Sequence, residues 1–248
     1  MIDATRFAWL YSPVRALLQD IDASPSTEAL WALMRGYFHS QGFDKISYHH
    51  IGGGDAPSGA VTVAADGFDQ RWVCEYIREK LFLVDPITDL AMRETRPFLW
   101  SEIPQLVTLS AEQNVYLARM EAARLGNGLA FQVFGPGFRN GYVGLGFAPE
   151  AAPPGAADIL EYQFAAQAAH IRYCALTSKA ADAPALSPRE RDVLQWIARG
   201  KSNSVIADIL GLSPHTVDTL MRRVYDKLGT RDRTTAAIEG LGAGLILP

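Results

Sequence analysis

"GLSPHTVDTLMRRVYDKLG" runs from Gly211 to Gly229, and its reading decides what the C-terminal part of the chain is. Ser213 followed by Pro214 marks a helix start, because a serine hydroxyl accepts from unpaired N–H groups and proline suits the first helical position. Val217, Leu220, Met221, Val224 and Leu228 then recur at helical spacing and form a buried stripe. The opposite face presents His215, Asp218, Thr219, Arg222 and Arg223, with Ser213 and Thr216 at its N-terminal end. Two adjacent arginines and a Ser/Thr cluster suit phosphate contact, and arginine also suits guanine O6 and N7. Asp218 interrupts that basic face. It precedes Arg222 by four residues, in the order that favours an ion pair, and it can also accept from a cytosine amino group.

Upstream, Asn203 to Leu210 is a short helix, and Gly211-Leu212-Ser213 is a tight turn, so the two helices form a helix-turn-helix. "LSPRERDVLQWIARG" opens with Ser187, Pro188 and Glu190 in a capping box. The Ala/Pro/Asp-rich residues 180–186 read as a linker, leaving 187–248 as a small four-helix domain. From Leu186 onward there are nine Lys and Arg against seven Asp and Glu; the rest of the chain has fourteen against twenty. That asymmetry suits a polyanion-binding tail on an acidic body.

Residues 1–179 carry a different pattern. Ser24 to Gly42 is an amphipathic helix with Leu30, Leu33, Met34, Tyr37 and Phe38 on one face. "KISYHHI" and "AVTVAA" alternate as strands around a glycine-rich loop, "GGGDAPSG", which lacks the lysine of a P-loop. A helix over Gln70 to Leu81, another opened by the capping box "SAEQ", and the strands "LAFQVFG" and "YVGLGFA" around an Asn140-Gly141 turn follow. Ala156 to Lys179 is a long helix whose stripe, Leu160, Phe164, Gln167, Ile171 and Cys174, serves either its own sheet or a partner. The expected class is α+β, an α-β-α sandwich with an antiparallel sheet.

Trp72 and Tyr76 lie one helical turn apart, which aims an indole N–H and a phenol O–H at a common space. From physics alone, Asp85 before Pro86 is a helix N-cap, and the aromatics are core with satisfied polar tips.

The C-terminal segment resembles the DNA-binding domain of LuxR-type transcriptional regulators through "LSPRERDVLQWIARGKSNSVIADILGLSPHTV" and the later "KLG.R.RT.A". Many relatives have a basic residue where Asp218 stands. Trp72, Tyr76, Asp85, Pro86, Trp100 and Gly128 are similar in spacing to the set that marks the acyl-homoserine-lactone-binding domain of LuxR-type quorum-sensing receptors. That resemblance implies a role for each residue. Trp72 donates to the lactone carbonyl, Asp85 accepts the ligand amide N–H, Tyr76 donates to the acyl carbonyl, Trp100 walls the head-group pocket, and Gly128 allows close packing. Phe68 replaces a tyrosine of several relatives, and Gly146 replaces a serine or threonine. Losing both hydroxyls, with a glycine in the strand, leads us to expect a bulkier, branched or aryl acyl group.

The resemblance thus implies a transcription factor with no catalytic residue, metal or cofactor. Its partners are an autoinducer of the N-acyl-homoserine lactone class, double-stranded operator DNA and a second copy of the chain, since one helix in one half-site reads too few base pairs. The alternative is a LuxR-type regulator answering to another small molecule or a protein partner. A receiver domain is disfavoured because the chain opens with helices, and the histidines His39, His49, His50, His170 and His215 match no metal motif. No signal peptide or membrane span is read, so the expected location is the cytoplasm. Cys74 and Cys174 match no redox or metal spacing and are expected to be small buried or half-buried side chains.

Overall fold

The computed structural model describes residues 13–51, 61–148, 150–178 and 185–247; the glycine-rich loop at 52–59 and linker residues 180–184 lie outside them. The chain divides into two compact units, the larger built on residues up to Thr177 and the smaller mainly on residues from Ser178.

In the first unit, α2 (Thr27–Ser40) is the helix expected between Ser24 and Gly42, and a further helix, α1 (Pro13–Ala23), precedes it. Ser26 is the N-cap of α2, its hydroxyl accepting from Ala29 N–H at 3.2 Å, while Ser24 bonds back to the carbonyl of Asp20. Strands β1 (Lys45–Ile51) and β2 (Val61–Asp66) lead to α3 (Gln70–Arg78) and α4 (Pro86–Ala91). Then come β3 (Phe98–Leu99), α5 (Ile103–Leu106), α6 (Ala111–Ala122), β4 (Asn127–Val133), β5 (Asn140–Phe147) and α7 (Ala156–Thr177). The Ser110–Gln113 capping box opens α6, with both reciprocal bonds formed.

The sheet is antiparallel throughout, in the order β2-β1-β5-β4-β3. Because side chains alternate, each strand serves both faces. One face packs Ile46, Leu129, Phe131, Val143 and Leu145 with α1, α2 and α7; the other packs Phe98, Ala130 and Tyr142 with α3, α4, α5 and α6. This is the expected α-β-α sandwich.

The Asn140-Gly141 turn is a correction. Both residues belong to β5, and the turn lies earlier, at Pro136–Phe138, with Gly137 at φ 66°. Asn140 Oδ1 accepts instead from Gly135 N–H at 3.3 Å, so the asparagine ties the hairpin from beside its turn. A second correction concerns the cysteines: Cys174 is buried, but Cys74 is exposed.

The second unit holds α8 (Pro188–Ala198), α9 (Asn203–Leu210), α10 (Pro214–Leu228) and α11 (Arg233–Gly242). The Ser187–Glu190 capping box forms, and buried Glu190 also accepts from Lys227 Nζ at 2.6 Å. Gly211 closes α9 at φ 65°, the left-handed conformation that the tight turn requires. Leu186, read as linker, is instead buried here with Leu194, Val224, Ala236 and Ile246. Among the described residues no helix is long and apolar enough to cross a membrane.

Candidate functional site

Two places bear on function: a polar centre inside the larger unit and the outer face of α10.

The polar centre is built on Asp85. The chain can enter α4 only with an acceptor for its free N–H groups, and Asp85 supplies it, Oδ1 accepting from Ile87 N–H at 2.8 Å. Its other oxygen faces inward, accepting from Tyr76 Oη at 2.9 Å and from Thr88 Oγ1 at 3.3 Å. Tyr116, on α6, also hydrogen-bonds the carboxylate. Thr88 Oγ1 lies 2.8 Å from Tyr142 Oη. Asp85 is 5% exposed among apolar side chains, and burial pushes its carboxyl above the usual carboxylate range against the opposing pull of these donors. Burial likewise raises the phenols of Tyr76, Tyr116 and Tyr142.

Around this carboxylate stand the aromatics. Trp72 is buried on α3 with its ring 6.1 Å from that of Tyr116, and Tyr76 lies 6.4 Å from Tyr116. Phe68 is partly buried against the same cluster. Trp100, just after β3, lies over a floor of glycines: a methyl group on Gly128 would sit 2.5 Å from its Cε2, and one on Gly146 would sit 3.2 Å from its Cη2. Gly128 and Gly146 are register partners on β4 and β5. The indole N–H of Trp100 is buried without a hydrogen-bond partner among the described residues.

All seven ligand-side residues read from the sequence therefore line one face of the sheet. The space over Gly146, which suggested a bulkier acyl group, is occupied by the Trp100 ring; the glycine admits a tryptophan, so it carries no argument about the acyl chain. Sequence reasoning missed Thr88, Tyr116, Tyr142 and His49. Thr88 was accessible, three residues after an N-cap aspartate; the others reach the centre only through strand register and helix packing.

On α10, Val217, Leu220, Met221 and Val224 are buried, and Ser213, His215, Thr216, Asp218, Arg222 and Arg223 are exposed, with Thr219 half-exposed. Ser213 caps the helix through Thr216 N–H at 3.1 Å. The expected Asp218–Arg222 pair does not form. Asp218 instead accepts from Asn203 Nδ2 at 2.5 Å, and Asn203 Oδ1 accepts from Arg233 Nη1 at 2.8 Å. Arg233 also donates to the Lys201 carbonyl. The sequence reading missed this because Asn203, fifteen residues away on α9, is brought alongside by the turn at Gly211.

Comparison with known proteins agrees with this geometry. Residues 26–173 match the autoinducer binding domain family, and residues 184–239 match the family described as bacterial regulatory proteins, luxR family. The chain is 29% identical over 187 residues to the transcriptional activator protein AhyR of Aeromonas hydrophila, covering 71% of this chain and 70% of that one. It is 27% identical over 186 residues to the quorum sensing-dependent transcriptional regulator RpaR of Rhodopseudomonas palustris, covering 73% and 74%. Escherichia coli SdiA shares the fold, with a TM-score of 0.74 at 19% identity over 98% of this chain and 99% of that one. A further SdiA structure, in complex with octanoyl-rac-glycerol, gives 0.73 at 20% identity over 99% and 98%.

Proposed function

The chain belongs to the LuxR family of bacterial transcriptional regulators and carries its autoinducer binding domain; from that premise we propose that it binds an N-acyl-homoserine lactone and, as a homodimer, reads operator DNA. The family consists of transcription regulators, not enzymes, so a small signal molecule and DNA are the two ligands to account for.

The observation that carries the lactone is the buried Asp85. A carboxyl group buried among apolar side chains is costly unless its oxygens are hydrogen-bonded, and here Ile87, Tyr76, Thr88 and Tyr116 all donate to it. A ligand amide N–H would take the place of one of the phenols on its inward-facing oxygen. The Trp72 indole N–H suits one carbonyl of the same head group, the Tyr76 phenol would reach the other by giving up its bond to Asp85, and Trp100 over Gly128 suits a flat wall beside it. The octanoyl glycerol in the SdiA complex is likewise an acyl chain on a polar head, which supports a ligand of that amphipathic class.

Support for the dimer comes from α7. Leu160, Phe164 and Ile171 are 65%, 59% and 47% exposed along one stripe, beside exposed Phe134. A contiguous apolar face on a helix invites a two-fold partner presenting the same face. Two copies would present two α10 helices to successive half-sites, with Arg222 and Arg223 toward phosphates and Ser213, His215, Thr216, Asp218 and Thr219 toward the groove. Binding operator DNA places the working protein in the cytoplasm.

The test is the melting temperature of the full chain with and without a panel of N-acyl-homoserine lactones. A saturating ligand at about a hundred times its Kd adds roughly 2.7 kcal/mol, so a chain-length-selective rise is expected. No rise with any lactone would leave the regulator answering to another small molecule or a protein partner.

A further inference from the structure

His49 and His50 are adjacent on β1, so their side chains leave opposite faces of the sheet. His50 faces α7, its ring 5.2 Å from that of Tyr173. His49 faces the ligand side, where its ring stacks on Tyr142 with centroids 4.1 Å apart and planes 14° from parallel. Tyr142 has its hydroxyl bound to Thr88, and Thr88 to Asp85, so the imidazole adjoins the polar centre without bonding to it.

His49 is 5% exposed, and its Nδ1 is buried with no hydrogen-bond partner among the described residues. Buried polar atoms are nearly always paired, and this exception lies on the sheet face that carries the Asp85 polar centre, where a ligand could complete the bond. The proposed contacts of the head group use Trp72, Tyr76 and Asp85, and His49 stands outside that set. Because Tyr142 covers one ring face, a hydrogen bond to the free nitrogen would have to come in the plane of the ring. Burial pushes the imidazole down to about 3, so at neutral pH it is uncharged, with one nitrogen donating and the other accepting. An alkyl chain satisfies neither role, and a keto oxygen satisfies only the N–H tautomer. A hydroxyl satisfies either.

We infer that His49 is a specificity-determining residue of the chamber and that its Nδ1 pairs with a hydroxyl group on the acyl part of the ligand. This rests on the lactone reading above and names the acyl class within it.

The experiment compares matched lactones on the full chain: N-octanoyl-homoserine lactone against its 3-hydroxy counterpart, and the phenylacetyl lactone against its 4-hydroxy counterpart. The wild type is expected to bind the hydroxylated member of at least one pair about tenfold more tightly, the worth of one well-made hydrogen bond. His49→Phe, which keeps a ring to stack on Tyr142, should bind both members of that pair alike. Equal affinities in the wild type for both pairs, or a preference that survives in His49→Phe, overturn the inference while leaving the lactone reading intact. If His49→Phe does not fold, His49→Leu gives the same comparison, and the wild-type affinities alone can still refute the idea. Failure of every lactone to bind the wild type removes the lactone reading and this inference together.

Discussion

The Tyr76 hydroxyl donates to one oxygen of Asp85 at 2.9 Å while the other oxygen accepts the Ile87 N–H at 2.8 Å, so a single carboxylate both caps a helix and receives the phenols around it. The two roles separate by substitution. Asp85→Asn keeps a capping oxygen but replaces an acceptor with an amide donor facing Tyr76 and the ligand. Its free protein should melt within a few degrees of wild type, yet its lactone-induced rise should vanish, a loss of about 2–3 kcal/mol of binding. Asp85→Ala removes the cap as well and should lower the melting temperature by a further ~1 kcal/mol equivalent. Tyr76→Phe loses one neutral hydrogen bond and should weaken binding about tenfold. Calorimetric titration of the three variants orders them; an unchanged lactone Kd in Asp85→Asn would remove the carboxylate from the binding role.

Acid should destabilise the larger unit. Burial pushes His49 down to about 3 and His170 down to about 4, well below the ordinary value near 6.5. Both are depressed, so the unfolded chain takes up protons that the folded one refuses, and stability falls as the pH drops from about 6.5 toward 4. Asp85 is shifted the other way by burial, so it opposes the histidines as the pH rises above the usual carboxylate value. His39 is raised by its Asp66 partner and also opposes the trend, though it is largely solvent-exposed and screened. Melting temperatures recorded between pH 7.5 and 5 should therefore decline, and the decline should be shallower in His49→Phe. A curve of identical slope in that variant would mean that His49 is not held neutral by burial.

Gly128→Ala should strain the Trp100 floor. The added methyl would meet the indole at 2.5 Å, closer than any non-bonded contact allows, and overpacking of this kind costs about 1–3 kcal/mol. Trp100→Phe makes room, so the double variant should be less destabilised than the sum of the single changes. Additive melting shifts in that cycle would show that the ring does not rest on Gly128.

These contrasts mark where the sequence was legible. The second unit could be read almost residue by residue, because its capping boxes, glycine turn and apolar stripes are local signals within one or two helical turns. The sandwich was readable as a class from period-two strands and helical stripes, but Asn140-Gly141 misled: the dipeptide favours a turn, and the hairpin turns earlier at Pro136–Phe138 while Asn140 braces it. Within the chamber, Trp72, Tyr76 and Asp85 share a short stretch of chain. Tyr116, Tyr142 and His49 come from one helix and two strands whose meeting depends on sheet register. The partner of Asp218 escaped for the same reason, since an i, i+4 rule sees only the helix that carries it.

That partner changes what Asp218 should do. Bonded to Asn203, and through it to Arg233, the carboxylate links α9, α10 and α11 and faces solvent at the centre of the reading helix. Asp218→Ala should raise affinity for non-specific DNA by removing a negative charge, and it should alter base preference at one operator position with little change in salt dependence. Arg222→Ala should instead weaken binding to all sequences and reduce the slope of log K against log salt by about 1. Anisotropy titrations on a randomised oligonucleotide pool and at several salt concentrations distinguish the two; equal salt slopes in both variants would mean that Arg222 touches no phosphate.

Assembly should depend on the exposed stripe of α7. Phe164 is 59% exposed and stands between Leu160 and Ile171 on the same helix face, so a charge there would be buried without a partner in any dimer that covers the stripe. Phe164→Glu should convert the lactone-bound protein from dimer to monomer in sedimentation. Operator affinity should drop by two orders of magnitude or more, because each half-site would then be held by one α10 alone. The lactone-induced rise in melting temperature should persist, since Phe164 lies on the helix that packs the opposite face of the sheet from Asp85. A variant that sediments as a dimer would move the two-fold contact away from α7. One that loses both assembly and ligand response would tie the stripe to folding of the larger unit.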